Sequence, residues 1–282
     1  SVQNHGHTGA GEHHQDRFPP VGQFNQAGGA VVLAGWSDDY ESYAPFPAEN
    51  HMAAQQNKVL QALGSSLRIA DDATHDDNLN GGQSQRLYFS TYNWDSFLLD
   101  GVECDSDHPN NSMYSQLFSQ YGGASIYVVD QEGNPASTVP GTVTPVVYGH
   151  ASTYSKDSDS DGLGGSDVPK YPVAEGDSRL MVLGTEELPG RGLIIVSGAA
   201  FMSNFEVQAT ISDSNAEKNY SNYNICENLA RYLNPVTITD IATVQKQTGK
   251  GYKFTIQGVV TSNASGFDKD TAFFDCIYVQ DD

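Results

Sequence analysis

The chain has 282 residues, and 14 Lys and Arg stand against 35 Asp and Glu, a formal net charge of −21 at pH 7. Such a polyanion repels nucleic-acid phosphates and anionic membranes, so cations are its natural partners; solubility alone is the alternative use of the charge. Hydrophobic residues at 38% and aromatics at 10% exclude a disordered chain, and no run approaches the ~18 apolar residues of a membrane helix.

Residues 1–27 are polar and Pro-punctuated and read as a leader or linker. Their histidines His5, His7, His13 and His14 have metal-chelating spacing, but no scaffold is predicted to hold them in place. Order begins at Gly28. The apolar run Ala30 to Ala34, bounded by glycines, predicts a strand buried on both faces. It ends in Gly35-Trp36-Ser37-Asp38-Asp39-Tyr40. His51 to Leu63 predicts a helix stopped by Gly64, and Leu67 to Ala70 a second strand, together a β-loop-α-β unit of the kind that builds parallel sheets.

The stretch 71–84 is acidic and turn-rich. Arg86 to Phe89 is strand-like, Met113 to Tyr121 predicts a short helix, and Ala124 to Val129 and Val143 to Tyr148 predict strands. Residues 151–178 read as one long Ser-, Asp- and Gly-rich loop, of a length that is usually functional or disordered. Leu180 to Leu183 and Gly192 to Val196 predict strands, the latter leading into Ser197-Gly198-Ala199-Ala200-Phe201. Asn219 to Leu233 predicts the last helix, closed by Asn234-Pro235.

Beyond Pro235 the pattern changes. Val236 to Val244, Tyr252 to Val260 and Phe273 to Val279 predict strands separated by Gly and Asn turns. Three parts follow: a leader over 1–27, an α/β domain over 28–235, and a truncated all-β segment over 236–282. Both ends read as internal to a longer polypeptide.

Within the long loop, Asp157-Ser158-Asp159-Ser160-Asp161-Gly162 places carboxylates at alternate positions before a turn glycine, the first half of a calcium loop. The closing Glu is absent, since position twelve is Val168. A complete EF-hand is therefore excluded. A looser Ca²⁺ loop closed by Asp167 or by backbone carbonyls is the expectation, and a solvated acidic loop is the alternative.

Several stretches resemble the class I glutamine-amidotransferase-like domains that serve as accessory domains in large secreted proteins of gut Firmicutes. They are Gly29 to Gly35, Asn57-Lys58-Val59-Leu60 with Leu63-Gly64, Ile69 to Asp72, Asn80 to Gln83, Ile194 to Gly198, and Asn224 to Pro235. The segments Ile256 to Thr261 and Phe274 to Asp281 are similar to the opening strands of an OB-like module found near secreted nucleases, phosphoesterases and peptidases. The resemblance implies a three-layer α/β sandwich on a mainly parallel sheet, a secreted or cell-wall-attached location, and neighbouring domains of the same polypeptide as partners.

The activity of that class needs a Cys on a Gly-flanked elbow with a His–Glu pair. None of the three cysteines fits. Cys104 has acidic neighbours, Cys226 lies in the last helix, and Cys276 in the all-β tail. Ser197 has Gly on one side only, so the Gly-x-Ser-x-Gly elbow is missing as well. The expectation is therefore a non-catalytic accessory or binding domain of an extracellular hydrolase. The alternatives are a hydrolase that uses carboxylates or a metal at the strand ends, and a structural spacer. Parallel strand ends are where α/β sheets bind ligands. That placement nominates Trp36, Asp38, Asp39, Tyr40, Ser197 and Phe201 as a surface for a glycan or small ligand. The isolated His51, His75, His108 and His150 read as surface or structural residues.

Overall fold

The computed structural model describes residues 19–42, 47–207, 220–234, 239–248, 254–268 and 273–280. Two compact units divide between Leu229 and Ala230. The first holds strands β1 (Val31–Ala34), β2 (Leu67–Ile69), β3 (Ala73–His75), β4 (Arg86–Phe89), β5 (Thr91–Tyr92), β6 (Phe118–Tyr121) and β7 (Ile126–Val129). It continues with β8 (Pro135–Ala136), β9 (Val143–Tyr148), β10 (Tyr154–Lys156), β11 (Tyr171–Ala174), β12 (Asp177–Arg179), β13 (Met181–Glu186) and β14 (Ile194–Ser197). Its helices are α1 (Pro19–Gln26), α2 (Met52–Leu63), α3 (Asn204–Val207) and most of α4 (Ser221–Leu233).

The expected mainly parallel sandwich is not what forms. The central sheet runs β1-β14-β13-β7-β2, with β9, β5 and β8 attached. Only β1 and β14 pair in parallel among the described residues, from Val31↔Ile194 to Ala34↔Ser197. The pairings of β13 with β14, β9 and β7, and of β7 with β2, are all antiparallel. The sheet is mixed and the domain is dominated by strands. The predicted β-loop-α-β unit exists in chain order, yet β1 pairs with β14 and β2 with β7.

Continuous apolar strands misled the reading for a physical reason. Any strand covered on both faces reads this way, whatever the direction of its neighbours. Every residue of β13 and β14 is buried. Ile194 and Val196 face a core cluster with Leu60 and Leu63 of α2, while Ile195 faces the opposite cluster with Ile225 and Leu229 of α4. The two-residue period of a strand thus feeds two cores.

Two local readings in this unit are also corrected. Phe118–Tyr121 is a strand, not part of a helix, and pairs antiparallel with β4. Tertiary bonds override its helical pattern: Ser119 donates its backbone N–H to Asn222 Oδ1 and Tyr121 its own to Glu206 Oε1. The long loop of 151–178 contains β10, β11 and β12.

In the second unit, Ile241–Gln245 is a short helix, α5, where a strand was predicted. The Asp240 carboxylate caps it by accepting from Thr243 N at 3.0 Å. Residues 236–238 and 252–253 lie outside the described residues, and Phe254–Gly258 are not in a continuous strand. A hairpin of β15 (Val259–Asp268) and β16 (Phe273–Gln280) follows.

Gly198 marks where β14 leaves the sheet. Its N–H donates to Val182 O and its carbonyl accepts from Ala124 N. A Cβ at this position would overlap the Ala124 carbonyl oxygen. This close approach, not a nucleophile elbow, explains the glycine after Ser197. Gly198→Ala should destabilise the domain by about 3 kcal/mol or more, read as a lower urea midpoint. A wild-type midpoint would show that the β14–β7 approach is not rigid.

Candidate metal centre

The site grows from the ends of β1 and β2. Leaving β1, Ser37 donates its backbone N–H to Gly122 O, and its Oγ accepts from Asp39 N at 3.0 Å, which closes a 3-10 turn over Asp38–Tyr40. The turn sends Asp38 into the interior, 2% exposed. Glu41, at the turn's end, is also buried. Its Oε1 accepts from Met52 N at 2.7 Å, capping the first turn of α2, and from Trp36 Nε1 at 3.2 Å. Its Oε2 has no hydrogen-bond partner among the described residues and faces His51 Nδ1 at 3.3 Å.

His51 precedes α2 and is buried. Its Nδ1 lies 2.8 Å from Asp71 Oδ2, and since an ionised carboxylate only accepts, Nδ1 carries the shared hydrogen. The Asp157–Asp161 loop folds over this point. Asp159 Oδ2 and Asp161 Oδ2 lie 3.8 and 3.7 Å from His51 Nδ1, and Ser158 N donates to Asp38 Oδ2 at 2.8 Å. Three overlapping groups result: Glu41–His51–Asp71, His51–Asp159–Asp161 and Asp38–Asp157–Asp159. Within each group the ligand atoms lie within 4.8 Å of one another.

Asp72 holds the loop in place. This fully buried carboxylate accepts from Ser125 N, Ser125 Oγ and Ser155 Oγ, and Ser155 Oγ accepts in turn from Gly165 N. Gly164 sits directly on the turn after β2. Its φ is +73°, and a Cβ would overlap Asp71 O.

The electrostatics follow from crowding like charges out of water. Burial, together with Asp72, Asp159 and Asp71 nearby, pushes Asp38 up to about 7 despite the Ser158 N–H. Burial raises Asp71 to about 6 against the pull of His51. Asp72 and Asp159 are also raised, mainly by loss of hydration. Among the described residues no Arg or Lys pairs with these carboxylates; the Arg86–Glu206 and Arg179–Asp177 pairs lie elsewhere. Carboxylates around one imidazole offer hard oxygen donors to a divalent cation, with a nitrogen at one side.

The structure brings together Asp38, Asp157, Asp159 and Asp161 of the sequence-nominated residues. Asp167 is not among them and is exposed at the rim of a neighbouring cavity. Trp36 and Tyr40 are each 48% exposed at the β1 exit, and Asp39 belongs to none of the three groups. Ser197 and Phe201 are fully buried, one inside the sheet and the other in the core, and present nothing to a ligand. Cys226 is half-buried on α4 with its thiol pushed up to about 11 by burial, far from a thiolate at neutral pH. Cys276 and the N-terminal histidines fall where side chains lie outside the described residues.

Glu41, His51, Asp71 and Asp72 were missed. The available signal was position: Asp71-Asp72 directly follow one strand, and Glu41 and His51 lie between the other strand and the helix that joins the two.

No protein-family model matches the chain, and no curated protein matches it. One solved structure, described as "mmIFT52 N-terminal domain", is similar with a TM-score of 0.42 and 11% identity, covering 78% of this chain and 71% of that one. No helix among the described residues is long and apolar enough to cross a membrane.

A carboxyl whose folded pKa lies above its unfolded value takes up a proton on folding, so stability falls as pH rises through that interval. For Asp38 and Asp71 the interval runs from about 4 to about 7. The metal-free protein should therefore gain stability as pH drops from 8 to 5, and Asp38→Asn should flatten much of that slope. Urea midpoints measured across this range check it; a midpoint that rises steadily with pH would contradict the buried, repelling cluster.

Proposed function

We propose that the chain is an accessory domain of a secreted, multidomain hydrolase and that it binds a hard divalent cation, Ca²⁺ first, where the Asp157–Asp161 loop meets the strand ends. The observation that carries the cation site is the convergence of Glu41, Asp71, Asp159 and Asp161 about His51, with Asp38 joined to the same loop through Asp157 and Asp159. Oxygen-rich Asp38–Asp157–Asp159 matches the donors Ca²⁺ prefers. Cation binding would ionise the raised carboxyls and pin the loop to the sheet. The exposed ring of Trp36, tied through its N–H to Glu41, is the stacking face we assign to a glycan at the rim.

A second reading is supported by His51 itself. Glu41–His51–Asp71 mixes nitrogen and carboxylate donors and suits Zn²⁺ or Mn²⁺, the arrangement a metal-assisted hydrolase would use.

Ca²⁺ at about 100 times its Kd should stabilise the chain by about 2.7 kcal/mol, and EDTA should reverse the gain. The double variant Asp159→Asn with Asp161→Asn should abolish the response without Ca²⁺-independent loss of fold. Thermal unfolding with Ca²⁺, Zn²⁺ and Mn²⁺ in parallel ranks the two readings. An unchanged midpoint with every metal would remove both.

A further inference from the structure

Beside the carboxylate cluster, and sharing Asp71 with it, lies a cavity of about 250 Å³. Its floor comes from Ala53 and Ala54 of α2 and Ile69 of β2, and its roof from Leu163, Val168 and Pro169. The roof is the continuation of the acidic loop, held down by the Gly164 approach to Asp71 and by the Asp72–Ser155–Gly165 bonds. Leu163 lines the cavity while 45% exposed, so this wall is apolar and reaches solvent.

The polar groups of the lining decide what the cavity can take. Asn57 is already engaged, its Nδ2 donating to Ile69 O and its Oδ1 accepting from Ile69 N. Among the described residues the lining contains no Lys, Arg or His. Its charges are Asp71 on the inner wall and Asp167 at the rim, both carboxylates that accept hydrogen bonds. Asp71 Oδ2 accepts from His51, which anchors the carboxylate at the boundary of cavity and cluster. The half-buried ring of Tyr127 supplies an aromatic wall.

We propose that this cavity binds a small organic cation, an ammonium carried on an apolar body of one side chain's size. Apolar walls take the body, and Asp71 and Asp167 take the ammonium as charge-assisted acceptors. An anionic ligand would meet two carboxylates, whereas an ammonium adds a charged donor to Asp167 and to the Asp71 carboxylate that His51 already holds. The volume is too small for an oligosaccharide, which separates this ligand from a glycan at Trp36.

The test uses three probes of one shape: benzylammonium, benzyl alcohol and benzoate. Each is titrated into the 282-residue chain by calorimetry, and amide shifts map the contact. Benzylammonium should bind at least about ten-fold tighter than benzyl alcohol, and benzoate should not bind. Asp167→Asn, at an exposed position, should weaken benzylammonium about three-fold or more. Ala54→Leu should fill the cavity and abolish binding while the circular dichroism stays wild-type, which separates the cavity from general attraction to the net charge. Equal affinity for ammonium and alcohol, binding that survives Ala54→Leu, or no binding of benzylammonium at 10-millimolar order would overturn the proposal. The ranking is read first in EDTA. It decides the proposal there whether or not Ca²⁺ binds, so failure of the cation reading and failure of this one remain distinguishable.

Discussion

Everything at this end of the domain hangs on Asp72. A carboxylate removed entirely from water is costly unless its lone pairs are met, and here they are met by neutral donors from two other segments, Ser125 before β7 and Ser155 in β10. Because no cation shares the burial, the three bonds offset desolvation only in part, and the carboxyl stays raised. What the arrangement secures is geometry. Ser155 fixes Gly165, Gly164 rests on Asp71, and the acidic loop is pinned over the strand ends. Without that pin, Asp159 and Asp161 would have no reason to approach His51, and the cavity would have no roof.

The same pin creates a conflict. It holds carboxylates closer together than they would stay in water, with one imidazole between them. In an environment of reduced dielectric, each additional negative charge at 4 Å costs more than it would on the surface. The protein has two ways out, protonation or a bound cation. The raised Asp38 and Asp71 are the first. Both ways neutralise the same groups, so protons and metal must compete: a site that binds cations at neutral pH releases them as the carboxyls protonate.

The sequence showed part of this and hid the rest for definable reasons. The Asp157–Asp161 spacing was visible because a cation loop takes its ligands from alternate residues of one segment. Glu41 and His51 lie in the connection before α2 and Asp71 lies beyond β2, so a helix and a strand part them in sequence and no short motif links them. Asp167 was nominated by proximity in sequence, but the 3-10 turn over Gly165–Asp167 carries it to the cavity rim. Ser197 and Phe201 were nominated by analogy with open parallel sheets. The antiparallel β13–β14 hairpin buries the first between two strands and the second in the core. Strand direction failed for a related reason. Burial on both faces is written in the apolar runs of β13 and β14, whereas polarity of pairing depends on connections the runs do not encode. The covered faces themselves were legible through α2 and α4, whose apolar residues supply the two clusters.

Asp71 gives the two candidate sites a common wall, and the acidic loop gives them a common lid. Coupling between them is then a thermodynamic requirement wherever both ligands bind. A metal that draws on Asp71 lowers the charge available to an ammonium in the cavity, which makes the coupling unfavourable. A metal that stiffens the loop lowers the ordering cost of the roof, which makes it favourable. The first effect acts through one carboxylate that keeps its second oxygen. The second acts on the loop from Asp157 through Pro169, about half of it exposed. Reciprocity demands that whichever effect wins appear with the same magnitude in the metal's own affinity. Asp167 lies at the cavity rim and outside the cluster, so its charge acts on the ammonium and not on the metal, and it is the residue through which the electrostatic and ordering contributions can be separated.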